Sequence, residues 1–261
     1  MNFETVRIEL NKSGVATLTM MRGDKHNALN AELISEIASA TAELAENSDV
    51  RAVVLAGDGK SFCAGGDLGW MQEQFHSSRE QRMREARKIA YMLRGLNTLP
   101  KPLIGRIHGN SFGGGLGMMS VCDYVIAVEG AKFGLTETKL GLIPATIGPY
   151  VVARMGEGRA RQVFMSGQSF GAERAKDLGL VSEVVSAADL DDAVERAIEP
   201  YLATAPRAVA SAKDLARSLG AVIDEQVIED TVRRLADVWE GGEAHEGVGA
   251  FFEKRKPGWV N

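Results

Sequence analysis

Cysteine is almost missing from this chain: Cys63 and Cys122 are the 2 among 261 residues, and they form no CxxC pair. That excludes a disulfide framework and makes a reducing cytoplasm the expected compartment. Histidine is equally sparse. His26, His76, His108 and His245 have neither metal-ligand spacing nor a matching acidic partner, so no metal site is expected. No apolar run approaches the ~20 residues of a membrane-spanning helix. The opening Met1-Asn2-Phe3-Glu4 lacks a basic stretch followed by an apolar one, which gives no expectation of a secretory signal. An excess of positive charge is absent too. The 30 Lys and Arg face 35 Asp and Glu, a formal net charge of -5, which argues against nucleic acid as a main partner.

What remains is an ordinary globular composition, 45% hydrophobic and 25% charged, long enough to bury a sizeable core. Val6, Ile8 and Leu10 alternate with polar residues, as do Val15, Thr17 and Thr19 with Ala16, Leu18 and Met20. They predict two strands joined at Asn11 to Gly14. Asn30 is a suitable N-cap for a helix from Ala31 to about Asn47, with Leu33, Ile34, Ile37, Ala38, Thr41 and Leu44 on one face. Arg51 to Ala56, Leu103 to Ile107 and Tyr124 to Val128 read as further strands. Helical spacing dominates after about Val185, over 190–203, 208–219 and 223–239.

The most unusual stretch is Gly109-Asn110-Ser111-Phe112-Gly113-Gly114-Gly115-Leu116-Gly117. Three consecutive glycines between a strand and a short helix give up backbone entropy. They leave bare N–H groups at a helix N-terminus, where an anion or a carbonyl oxygen gaining charge can be held. Close packing of a small-residue helix on a sheet is the structural alternative. Familiar phosphate loops do not fit. Gly57-Asp58-Gly59-Lys60-Ser61 has Val54 where a P-loop needs its first glycine, and a dinucleotide fingerprint begun at Gly113 would end on Met118. Ser111 has no G-x-S-x-G elbow. Cys63 has no local histidine to activate it and reads as a small packing residue, while Asp123 reads as a cap on backbone groups.

A second glycine-bearing strand exit, around Ala64, could offer another N–H, and two converging donors make an oxyanion hole. Lys25-His26-Asn27-Ala28-Leu29-Asn30, Phe62-Cys63-Ala64-Gly65-Gly66-Asp67-Leu68 and Gly109 to Asp123 resemble successive motifs of the crotonase (enoyl-CoA hydratase/isomerase) superfamily. Phe133 to Glu137, Leu140 to Pro144, Ala175 to Val181 and Phe252 to Pro257 extend the likeness, in order, over nearly the whole chain. The resemblance implies an α/β fold, a spiral of repeated ββα units over 1–190 that carries the CoA and catalytic site. A helical region, 191–261, would follow and build a homotrimer or a dimer of trimers.

It also implies roles for residues. The N–H groups of Ala64 and Gly114 would hold the thioester oxygen of an acyl-CoA, which is a substrate; no permanently bound cofactor is implied. Lys25, Ala28, Ala64, Asp67 and Leu68 would bind the CoA, with Lys254 and Lys256 toward its phosphates. Hydratases of this superfamily with two catalytic glutamates carry one on the helix after the glycines. Gly117 stands at that position here, which leaves Glu137, set among Phe133, Leu135, Leu140 and Leu142, as the acid and base.

The chain is most similar to the bacterial methylglutaconyl-CoA or isohexenylglutaconyl-CoA hydratase type in Asp67 to Met71, Phe112 to Gly117 and Pro144 to Val152. The expected activity is thus hydration of a branched or carboxylated enoyl-CoA. A Δ3,Δ2-enoyl-CoA isomerase using Glu137 alone, or an acyl-CoA binder without turnover, are the alternatives. Trp70, Met71 and Phe75 are candidates for the acyl pocket, and Arg79, Arg82 and Arg84 for a carboxylate on the acyl tail.

Overall fold

The computed structural model describes residues 3–261. Its first hairpin pairs β1 (Val6–Leu10) antiparallel with β2 (Val15–Met20). Helix α1 (Ala31–Glu46) follows, capped by Asn30, whose side chain accepts the Leu33 N–H at 2.9 Å. Such a cap is worth about 1 kcal/mol. The apolar spacing read from the sequence is the face that α1 buries, including Leu33, Ile34, Ile37 and Leu44.

From there the chain repeats one manoeuvre. β3 (Ala52–Gly57) leads to the short β4 (Ser61–Cys63), then to α2 (Leu68–His76) and α3 (Arg79–Thr98). β5 (Leu103–Ile107) leads to the short β6 (Asn110–Phe112), then to α4 (Gly114–Val121). β7 (Tyr124–Val128) leads to the short β8 (Lys132–Gly134), then to a single 3₁₀ turn (Glu137–Leu140), α5 (Gly148–Met155) and α6 (Glu157–Ser166). Each pass lays its long strand on one sheet and its short strand on another. The large sheet runs β1-β2-β3-β5-β7-β10 and is parallel except at β1/β2. The small one runs β4-β6-β8-β9, with β4, β6 and β8 parallel. This is the expected spiral of ββα units.

β9 (Phe170–Gly171), α7 (Ala172–Asp177) and β10 (Glu183–Val185) close the two sheets. Val53, Leu55, Leu103, Ile104, Val125 and Ile126 are buried between the sheets and helices, which explains why these strands read as near-continuous apolar runs. Asp123 caps as expected: its carboxylate accepts the Leu103 N–H at 2.7 Å and pairs with Lys213 at 2.7 Å.

Four helices complete the chain: α8 (Leu190–Leu202), α9 (Pro206–Ser218), α10 (Glu225–Trp239) and α11 (Gly242–Phe252). α9 buries none of its residues, and Leu215, Leu219 and Val222 on and after it are exposed. α10 lies antiparallel along α3, with Arg79 bonded to Asp237 and Glu240, Arg87 to Glu229 and Arg94 to Glu225. α11 packs on the 3₁₀ turn so closely that a β-carbon on Gly247 would lie 2.4 Å from the Leu140 carbonyl carbon. Among the described residues no helix is long and apolar enough to cross a membrane.

Candidate active site

Because β4, β6 and β8 are parallel neighbours, their C-terminal ends open on one side of the small sheet, and three loops leave from there together. Register aligns Cys63 with Ser111 and Ser111 with Phe133, so 64–66, 113–114 and 135–137 are side by side. The carboxyl ends of parallel strands are where α/β proteins place their ligands. Two of these loops are glycine-rich by necessity. Gly65 (φ +93°) and Gly113 (φ +48°) adopt left-handed backbone, and a β-carbon on Gly113 would lie 3.7 Å from the Gly65 Cα and 3.2 Å from Glu137 Oε1. The three loops therefore touch at Gly113.

The first loop corrects one expectation. The Ala64 N–H donates to the His26 carbonyl at 2.9 Å and is committed inside the fold. Two residues on, Leu29 bridges the loop, its N–H donating to the Gly65 carbonyl at 2.7 Å and its carbonyl accepting the Asp67 N–H at 2.9 Å. In such a parallel bridge the intervening residue turns its own N–H away from the partner strand. Gly66 is that residue, and its N–H has no acceptor among the described residues. The free donor of this loop is Gly66, not Ala64. Sequence reasoning missed it because the pairing of 26 and 29 with 64–67 is a long-range one.

The second donor stands where expected. Gly114 opens α4, its N–H among the unpaired groups of the first turn, while the preceding Gly113 N–H is used by the Gly134 carbonyl at 3.0 Å. Leu29 packs beneath: a β-carbon on Gly114 would fall 2.4 Å from Leu29 Cδ1.

The third loop supplies the carboxylate. Glu137 begins the 3₁₀ turn, and its Oε2 is buried with no hydrogen-bond partner. Burial raises its pKa from the ordinary carboxylate range to about 7, against a smaller lowering by its own N–H. At neutral pH it is divided between a base and an acid. Gly117 faces the cavity wall with no room for a side chain, since a β-carbon there would lie 2.7 Å from Ile147 Cγ2 and 3.2 Å from Leu93 Cδ1.

Gly66, Gly114 and Glu137 line one cavity of about 420 Å³. Leu29, Ala86, Ile89, Leu142, Ile143 and Ile147 make much of its wall apolar, with Trp70 and Met71 from α2 as expected. Phe75 is not in the lining; it packs with the Leu142–Trp239–Val248 cluster and stands edge-on to His245 at 5.3 Å. Helices α10 and α11 reach the cavity through Leu235, Trp239 and Phe251, so the site draws on both 1–190 and 191–261. Their amphipathic spacing is visible in sequence, whereas their docking over α3 and the 3₁₀ turn is not.

Of the residues assigned to CoA, Ala64 and Leu68 border the cavity, and Leu68 is 56% exposed at its rim. Asp67 is occupied otherwise: its Oδ1 accepts the Gly69 and Trp70 N–H groups at the start of α2, and its Oδ2 pairs with Arg22 at 3.0 Å. Ala28 is buried and its carbonyl is bonded by Arg22. Lys25, Lys254 and Lys256 are exposed and do not line the cavity, and Lys256 Nζ rests on the Asn261 carbonyl at 3.2 Å. Cys63 and Cys122 are buried, which pushes both thiols up to about 12 and out of nucleophilic chemistry. Ser111 Oγ is buried as well. Among the described residues no group of three or more His, Cys, Asp or Glu could hold a metal ion.

A family model described as enoyl-CoA hydratase/isomerase matches residues 10–261. The crystal structure of an enoyl-CoA hydratase from Shewanella pealeana superimposes with a TM-score of 0.81 at 38% identity, covering 98% of this chain and 96% of that one. A short-chain-enoyl-CoA hydratase of Clostridium acetobutylicum is 31% identical over 97% of both chains. A mevalonyl-coenzyme A hydratase of Aspergillus fumigatus is 32% identical, covering 94% of this chain and 91% of its own.

Proposed function

Since the chain belongs to the enoyl-CoA hydratase/isomerase family, we propose that it hydrates an α,β-unsaturated acyl-CoA with Glu137 as its single acid and base. The observation that carries this reading is the meeting of three strand exits at Gly113, two with free N–H groups and one with a buried, unpartnered carboxylate whose pKa is raised. Glu137 takes a proton from water as the water oxygen bonds to C3 of the enoyl chain. The π electrons move toward the thioester, whose oxygen becomes an enolate held by the Gly66 and Gly114 N–H groups. C2 of that enolate then takes a proton from Glu137, and one water has been added. Each such donor contributes about 3 kcal/mol to the transition state.

The finer reading is a branched or carboxylated acyl chain, of the methylglutaconyl-CoA kind. An apolar middle to the cavity suits a branched chain, and the Aspergillus relative is named for a branched acyl group. Lys254 and Lys256 are assigned to the CoA phosphates, and Lys25, Ala28, Ala64 and Leu68 to the rest of the carrier. An assembly of three chains, or two such trimers, would cover the exposed Leu215, Leu219 and Val222.

The absence of a second carboxylate at Gly117 also suits a proton shuttle between C4 and C2, the isomerase reading. Crotonyl-CoA, 3-methylglutaconyl-CoA and a 3-enoyl-CoA, each incubated with the protein and with Glu137→Gln, separate the two by mass. Gain of water that disappears in the variant supports the hydratase. A shifted double bond in the 3-enoyl ester alone, with unchanged mass, replaces it with the isomerase.

A further inference from the structure

The cavity has a second set of polar groups. On α2, Trp70 and Gln74 are four residues apart and share a face; on α3, Arg82, Ala86 and Ile89, spaced by four and then three, share another. All five line the cavity. Trp70 Nε1, Gln74 Oε1 and Arg82 Nε are each buried without a hydrogen-bond partner, and Gln74 is only 7% exposed. Buried polar groups in native proteins are nearly always satisfied, so three orphans on one wall mark a place where a polar group is expected.

The charge there is also unmatched. Along the contact of α3 with α10, Arg79, Arg87 and Arg94 each meet a carboxylate between 2.6 and 3.1 Å. Opposite Arg82, α10 offers Trp239, and the guanidinium stands 5.7 Å from the centre of that ring. Among the described residues no carboxylate lies within 4.0 Å of Arg82, although Glu85, one turn along α3, is spent on Lys88 at 2.7 Å. The Trp239 ring attracts the guanidinium without using any of its N–H donors, and Nε has no partner. Arg79, by contrast, is used up on Asp237 and Glu240, and the exposed Arg84 does not line the cavity.

We infer that Arg82, with the Trp70 indole and the Gln74 amide beside it, binds a carboxylate at the far end of the acyl chain, and so selects monothioesters of dicarboxylic acids. The inference rests on the acyl-CoA reading of the cavity. A carboxylate is the anion that fits: two oxygens match the guanidinium fork, and the indole N–H donates to a remaining lone pair. The Gln74 amide, with its unpartnered Oε1 turned away about the terminal bond, presents its NH2 to another.

Saturated esters test this without turnover. Calorimetric titration with glutaryl-CoA and butyryl-CoA compares carriers that are identical and acyl chains that differ mainly in the terminal carboxylate. The native protein is expected to bind glutaryl-CoA ten- to a hundredfold more tightly, the range of a charge-assisted contact. Arg82→Gln should bring the ratio near one, Arg82→Lys should retain part of it, and Arg79→Ala should leave the ratio unchanged while lowering the melting temperature. A native protein without preference, an Arg82→Gln variant that keeps the preference, or one that loses both esters equally would overturn the proposal. The last result would give Arg82 to the CoA carrier instead. Failure of the hydratase reading would show separately, as no gain of water with any unsaturated ester.

Discussion

Ile147 occupies the space that a side chain on Gly117 would need. A β-carbon on the glycine would lie 2.7 Å from Ile147 Cγ2 and 3.0 Å from its Cβ, both on the side chain that lines the cavity. The second glutamate of two-carboxylate hydratases is therefore not merely substituted; its place is filled by hydrocarbon. Gly117→Glu should lower stability by 2 kcal/mol or more, from overpacking of about 1–3 kcal/mol plus a carboxyl group in an apolar wall. Gly117→Glu with Ile147→Ala should recover part of the loss in a thermal melt. Equal melting temperatures for Gly117→Glu and the native chain would show that the wall yields freely.

Glu137 sets a pH dependence with a definite sign. The base form is required for attack, so kcat/KM for hydration should rise with pH through an apparent pKa near 7. Glu137→Gln should lower it by about 10² to 10⁴ and flatten that limb.

The same residue predicts a stability change in the opposite direction to its catalytic value. Its folded pKa lies above the unfolded one, near 4.5, so the native state holds the extra proton between the two values. Stability thus falls as pH rises from about 4.5 to 7 and stays reduced above. Glu137→Gln should be more stable than the native protein at pH 8, by at most about 3 kcal/mol, and should match it at pH 4. A gain that persisted at pH 4 would point to packing rather than ionisation.

The Gly114 donor can be removed with little harm to the helix. Proline is favoured at the first position of a helix, and Gly114 holds that position in α4. Gly114→Pro should therefore cost about 10² to 10³ in kcat by deleting one N–H, while the melting temperature moves little. Leu29 Cδ1, the end of a flexible side chain, must shift to admit the ring. Collapse of the fold would show that Leu29 cannot.

Asp67 is expected to matter for order rather than for binding. Asp67→Ala removes the cap of α2 and the partner of a mostly buried Arg22, and should destabilise by about 2 kcal/mol, read by denaturant unfolding. Hydrogen bonding holds its carboxyl below the usual range despite partial burial, so this contribution is lost as acid titrates it below pH 4.

Much of this was readable from the residues, and the rest divides along a physical line. Local periodicity placed β1, β2, α1, β5 and β7 within a residue or two, because each buries one face or both and its apolar spacing says so. The glycine run was legible as a source of bare N–H groups, with close packing as its alternative, and Glu137 was legible through the resemblance to the crotonase superfamily. What could not be read is anything set by distant contacts. The donor at Gly66 depends on pairings of 26 with 64 and 29 with 65 and 67, and the free state of Arg82 depends on which face of α10 lies opposite. Arg79, Arg82 and Arg84 look alike in sequence; only their neighbours tell them apart.

The convergence of three strand exits divides the site into parts of different heredity. Both donors are main-chain groups, supplied by the path of the backbone, and they persist as long as the glycines that shape that path are kept. The acid-base group is one side chain, and the walls that meet the acyl tail are others. A lineage can thus keep the power to stabilise an enolate while altering, one codon at a time, what is done with it and on which chain.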